Sequence, residues 1–158
     1  MNVFPFFEWC ETTMVGEVIR RSLWLFPVIE SFHLVAFAVI GGTILVLDLR
    51  LLGVAFRRQP VARIAREAQP WLFGSLSVML LSGTMLFLSE SVKCYYSFAF
   101  WVKMISLFVA IIFTLTIRRK VALADEARVG PFWGRLVAFI SLGLWGAVAW
   151  GGRWIGFS

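Results

Sequence analysis

Apolar residues in this chain fall into four long runs, at about 23–49, 71–89, 97–117 and 132–150, each bounded by charged or proline-containing segments. About 20 apolar residues are enough for a helix to cross a ~30 Å hydrocarbon core, so each run predicts one membrane-spanning helix. Residues 6–20 follow a different pattern. Phe6, Phe7, Trp9, Met14, Val18 and Ile19 alternate with Glu8, Glu11, Glu17 and Arg20, which predicts a short helix lying in the interface. The polar connections are a basic loop (RRQPVARIAREAQP) closed by Pro70, a short turn (ESVKCYY), and a second basic loop (RRKVALADEARVG) entering the fourth run through Pro131. The pattern predicts an all-α, integral membrane four-helix bundle with a short N-terminal interfacial helix, in one transmembrane domain over residues 1–158.

Composition agrees with the pattern. The 158 residues are 60% hydrophobic, which leaves no room for a separate soluble domain. A net charge of +6 would suggest nucleic acid in a soluble protein, but here the charge sits in two loops and no nucleic-acid partner is expected. Arg50, Arg57, Arg58, Arg63 and Arg66 flank the first loop, and Arg118, Arg119, Lys120, Arg128 and Arg135 the second; the other side has Arg20, Arg21, Lys93 and Arg153. The positive-inside rule then predicts cytoplasmic loops and both termini outside, which in a bacterial inner membrane means the periplasm. The N-terminus lacks a basic stretch followed by an apolar one, so no cleavable signal peptide is expected. Gly143, Ala147 and Gly151 recur every fourth residue of the fourth run. Such small residues let helices approach closely, within the bundle or across a homodimer.

Ionisable groups inside a span are costly and mark candidate sites. The first run holds Glu30 and His33, the chain's single histidine, and the third holds Lys103. At 1.5 Å per residue they lie about 12, 16 and 9 Å below the outer surface, all in the outer half of the membrane. One expectation is a Glu30–Lys103 ion pair joining two helices, with His33 hydrogen-bonded nearby. The sharper one is haem b with His33 as axial ligand, since bundles hold cofactors on inward-facing side chains. Lys103, Arg153 or Arg20 and Arg21 would then meet the propionates, and Glu30 would orient the histidine or carry protons. Met79, Lys103 or a second subunit's His33 would offer a sixth ligand. Copper(I) needs clustered thiolates or thioethers, and Met79, Met85, Met104, Cys10 and Cys94 form no such motif. Cys10 and Cys94 both fall on the outer side, where an oxidising compartment favours a disulfide clamping the N-terminal segment over the bundle. Asp48 is expected to pair with an arginine of the basic loops, and Arg50 to snorkel. No phosphate loop, nucleophile triad or catalytic carboxylate pair is present.

His33 on a first span, Gly41-Gly42 below it, Asp48-Leu49-Arg50-Leu51-Leu52 at its exit and Trp101-Val102-Lys103 opening the third span resemble a group of small bacterial membrane proteins. That group includes the haem-b-binding, HemJ-type protoporphyrinogen oxidases and the membrane part of copper-resistance protein D. The first-span pattern Pro27-x-x-Glu30-x-x-His33, with Asp48 to Gly53, is most similar to an uncharacterised branch. The resemblance covers about three spans and implies His33 as a haem ligand, with Lys103 matching the third-span lysine. HemJ-type enzymes carry further histidines that this chain lacks, so haem binding is implied rather than protoporphyrinogen oxidation. The expected function is electron transfer between the quinone pool and a periplasmic redox partner. The alternatives are a small-solute, ion or copper transporter, and a cofactor-free accessory subunit of a larger membrane complex.

Overall fold

The computed structural model describes residues 3–124 and 126–155, with the side chains of 126–129 (Arg128 among them) outside the description; every element among the described residues is helical. Two short helices, α1 (Phe4–Glu11) and α2 (Met14–Arg21), precede the first long helix, α3 (Leu25–Leu51). Then come α4 (Val61–Ser89), a single short turn α5 (Ser91–Tyr96), and α6 (Phe98–Phe113). A π-helical turn, Thr114–Arg118, joins α6 to α7 (Arg119–Leu123), and α8 (Glu126–Ile155) closes the chain. Four continuous apolar helices, Leu25–Leu51, Val61–Ser89, Phe98–Leu123 and Gly130–Ile155, are long enough to cross a bilayer. This is a multi-pass membrane four-helix bundle.

In the bundle α3 packs along α4, and α8 lies against both α3 and α6. Ala36, Ile40 and Ile44 recur every fourth residue of α3 and meet Leu76, Met79, Leu107, Ala110, Trp145 and Val148 in the core. Lipid offers no hydrophobic drive between helices, so close backbone approach supplies the contact. Gly151 is such a point: a Cβ there would stand 3.0 Å from the Lys103 Cβ and 3.1 Å from the Ala99 carbonyl oxygen. Gly143, from the same small-residue series, faces open space.

The elements differ from the sequence pattern at four places, one being that the third span runs past Ile117 to Leu123, into the segment that looks like the second basic loop. The second span starts ten residues earlier than Trp71, directly after Pro60, and runs through Pro70. The segment that looks like a basic loop is helical because Val61 and Ile64 bury themselves against Leu47 and Ala122. The fourth span continues to Ile155, and its regular helix starts after Gly130, whose backbone (φ 66°, ψ 154°) breaks the preceding turn. The expected interfacial helix is two helices, because Thr13 takes an extended backbone and its hydroxyl accepts from the Gly16 N–H at 3.3 Å, capping α2.

These two helices dock on the end of the bundle opposite the basic loops. Phe7 is buried among Phe87 and Tyr95, with ring centroids 5.4 and 5.2 Å away. The Ser91 hydroxyl donates to the Phe7 carbonyl at 2.7 Å, and Glu11 accepts from Arg20 at 2.7 Å and from the Val92 N–H at 3.1 Å. At Gly16 a Cβ would fall 2.3 Å from the Leu88 carbonyl oxygen, so only glycine lets α2 lie this close to α4. The expected Cys10–Cys94 disulfide is absent: both thiols are free, Cys10 buried and Cys94 half-buried. Aromatic packing and the Glu11 hydrogen bonds hold the N-terminal segment in its place.

Candidate functional site

His33 lies eight residues into α3, and Ala36 and Ile40 on the adjoining face point into the core. The imidazole is therefore half-buried, against α4. Its Nδ1 stands 3.0 Å from the Ser82 Oγ. The Ser82 Oγ also stands 2.7 Å from the Val78 carbonyl oxygen and 3.2 Å from that of Met79, both on its own helix. With the hydroxyl proton on one of these carbonyls, Ser82 accepts from the ring N–H at Nδ1, and Nε2 is the ring nitrogen that keeps its lone pair. The next residue seats the ring: a Cβ on Gly83 would come within 3.0 Å of the His33 Cε1.

Lys103 of α6 runs its stem over Gly151 and Gly152 of α8; its Nζ is 3.7 Å from where a Gly152 Cβ would be. Its charge acts on both His33 and Cys94. Lys103 has no carboxylate partner among the described residues, so the expected Glu30–Lys103 ion pair is not formed. The reason is angular. Three residues advance a helix by about 300°, so Glu30 sits about 60° away from His33 around the axis and emerges on the exposed face. Met79 is 3% exposed, with its side chain inside the apolar core and its carbonyl beside the His33 ring. Arg153 is exposed at the same end as Lys103. Arg20 and Arg21 are engaged elsewhere, with Glu11 and Glu17.

Cys94 lies in α5 above Lys103, outside the spans. Burial pushes its thiol up to about 11, with Glu90 adding to the rise and Lys103 and Lys93 opposing it. Burial also raises the Cys10 thiol. Among the described residues no three His, Cys, Asp or Glu side chains converge as metal ligands. A haem iron asks the protein for only one such group.

A second polar cluster occupies the other half of the bundle. Arg118 Nε donates to Asp48 Oδ1 at 2.9 Å and its Nη2 to the Ile44 carbonyl at 3.1 Å, with both side chains almost fully buried. This is the pairing of Asp48 with a loop-flanking arginine that the sequence suggests. The π-turn sets it up by placing Arg118 on the inner face, while Thr114, at the start of that turn, accepts from the Trp145 Nε1 at 3.1 Å. Asp48 Oδ2 and the Ser141 hydroxyl are buried beside each other.

Sequence reasoning singled out His33 and Lys103 but not Ser82, the residue that meets the imidazole. No curated protein and no solved structure matches the chain. Residues 6–158 match the family of unknown function DUF6644, and the chain belongs to that family.

Proposed function

We propose that the protein binds haem b in the outer half of the bacterial inner membrane, with His33 as axial ligand. One observation carries the reading: His33 Nδ1 is held 3.0 Å from the Ser82 Oγ, and with the ring donating there Nε2 is the nitrogen that presents a lone pair to a metal. Haem-ligating histidines need this arrangement, in which the distal nitrogen binds iron while the other ring N–H is held by a fixed acceptor. Lys103, and Arg153 at the same end of α8, supply positive charge for the propionates. Met79 is engaged in core packing, which favours five-coordinate iron or a ligand from a second copy. When bound, haem supplies one-electron redox chemistry. The chain's own part would be to hold the imidazole against α4, in the half of the bundle where quinone and a periplasmic partner would exchange electrons with the group. Both termini are assigned to the periplasm by the loop charge. A proton or ion relay would need Glu30 next to His33 and Lys103, and Glu30 stands on the exposed face.

The test is the visible spectrum of detergent-purified protein, oxidised and dithionite-reduced, beside His33→Ala and Ser82→Ala. A Soret band with reduced α and β bands is expected in the wild type, absent in His33→Ala and weakened or shifted in Ser82→Ala. Colourless wild-type protein from cells supplied with ample haem would overturn the reading.

A further inference from the structure

The seam between α4 and α6 forms a cleft in the half of the bundle that carries the basic loops. α4 packs along α3 and α6 along α8. α4 meets the third span at its start, where Val61 and Ile64 reach Ala122 of α7, and at the opposite end, where the rings of Phe87 and Phe100 stack. Between those contacts Thr43 of α3, Leu72 and Phe73 of α4, and Thr114, Leu115 and Arg118 of the third span line the cleft. Phe73 is exposed and Leu72 and Leu115 are half-buried, so it opens sideways to lipid. Its innermost polar groups, Thr114 and Arg118, are each 4% exposed. The Thr114 hydroxyl accepts from the Trp145 Nε1 at 3.1 Å, and its own proton meets no acceptor among the described residues. Arg118 donates through Nε to Asp48 and through Nη2 to the Ile44 carbonyl, and its Nη1 meets no acceptor among the described residues. Two donors on one π-turn thus border an apolar cleft with hydrogen-bonding capacity to spare, and in lipid no water supplies the missing acceptor.

We propose that this cleft binds the ring of a lipid-soluble quinone, whose carbonyl oxygen accepts from Thr114 and Arg118. Asp48 already neutralises Arg118, so an uncharged acceptor suits the site better than an anion. The enclosed part of the cleft holds only about 40 Å³, so its ligand is flat and keeps one face in lipid. Phe73 and Leu115, from the two flanking spans, give a conjugated ring apolar walls to lie against. Depth separates a quinone from the ester carbonyl of a phospholipid. The third span has 26 residues, about 39 Å against a ~30 Å core, and Thr114 lies nine residues before its end at Leu123. With the span centred, Thr114 stands about 9 Å inside the core, below the level of ester carbonyls and within reach of a quinone ring. The quinone's role rests on the reading above, but its seat does not: Thr43 lies ten residues past His33, about 15 Å along α3. The cleft is a holding site apart from the half where the haem would exchange electrons.

The full-length protein in neutral detergent would be titrated with decylubiquinone and with dioleoylglycerol, which offers ester carbonyls without the ring. Melting temperature and native mass spectrometry report binding, and an azido-quinone photolabel reports its place. Decylubiquinone is expected to raise the melting temperature and dioleoylglycerol to leave it unchanged, with the photolabel on peptides that hold Leu72, Phe73 or Leu115. Thr114→Val should weaken decylubiquinone binding about fivefold, the loss that one neutral hydrogen bond implies. Thr114→Ser keeps the hydroxyl and should bind as the wild type does. Trp145→Phe removes the other hydrogen bond of Thr114 and leaves its proton in place, so it too should bind as the wild type does; the same weakening there would make packing the cause and overturn the assignment. His33→Ala should keep its quinone, so that colourless protein which still binds decylubiquinone sinks the haem alone. Equal stabilisation by dioleoylglycerol, unchanged affinity in Thr114→Val, or a photolabel confined to the opposite end of the bundle would overturn the quinone seat. Where Thr114→Val does not fold, the position of the photolabel decides.

Discussion

A single hydroxyl decides the state of the candidate site. With its proton on its own helix, Ser82 accepts from the His33 Nδ1–H and leaves the lone pair of the ring on Nε2. Ser82 could not have been chosen from the sequence, because Ser31, Ser75, Ser77 and Thr84 also bond to the carbonyl four residues back. Hydroxyls in spans do this routinely to satisfy themselves, and only the fold shows which one also meets a ring. His33 and Lys103 were legible because an ionisable group in an apolar run is costly. Glu30 carries the same signal yet points out of the bundle, since sequence spacing does not fix how a helix is rotated. Cys94 gives a residue-level prediction. The thiolate is the reactive form, so a thiol raised to about 11 stays protonated at pH 8 and has roughly a hundredfold less thiolate than an ordinary cysteine. Iodoacetamide labelling of a Cys10→Ser variant should therefore be slow and should quicken about tenfold per pH unit up to pH 10. A rate that levels off by pH 9 would contradict the raised value.

At the scale of elements, the Asp48–Arg118 pair ties α3 to the end of α6 across a non-aqueous interior. Removing one member leaves the other charge buried and unpaired, at a cost of about 3–5 kcal/mol. Asp48→Asn should accordingly lower the melting temperature in detergent sharply, while the double variant Asp48→Leu/Arg118→Met should recover part of the loss. A double variant no more stable than Asp48→Asn would argue that the pair is not the source of the effect. All four span cores were evident from hydropathy. The first turns of α4 were not, because Arg63, Arg66 and Glu67 dilute the apolar signal of Val61 and Ile64. Their amphipathic spacing, supported by the Arg63–Glu67 ion pair at 2.8 Å, makes a helix of what composition presents as a loop. The π-turn has no sequence signal at all; it follows from the register that Arg118 needs to reach Asp48.

For the whole molecule, ten basic residues at the loop end against four at the other predict orientation. Alkaline phosphatase fused after Ser158 should be active in bacterial cells, and the same enzyme inserted between Arg58 and Gln59 inactive; the reverse pattern would invert the topology. The end opposite the basic loops is closed by contacts between residues remote in sequence: Ser91 with Phe7, 84 positions apart, and Arg20 with the Ser89 carbonyl, 69 apart. That separation is also a delay. The chain is synthesised from its N-terminus at about 5–20 residues per second, so α1 and α2 emerge on the order of 4–17 s before their docking surface exists. During that interval two membrane insertions take place with nothing for Phe7 and Gly16 to rest on. The headgroup layer is the one medium that suits a helix with Arg20 and Arg21 on one side and Val15 and Ile19 on another. The amphipathic character of α2 is thus matched first to the lipid surface that receives it, and only afterwards to the bundle that it covers.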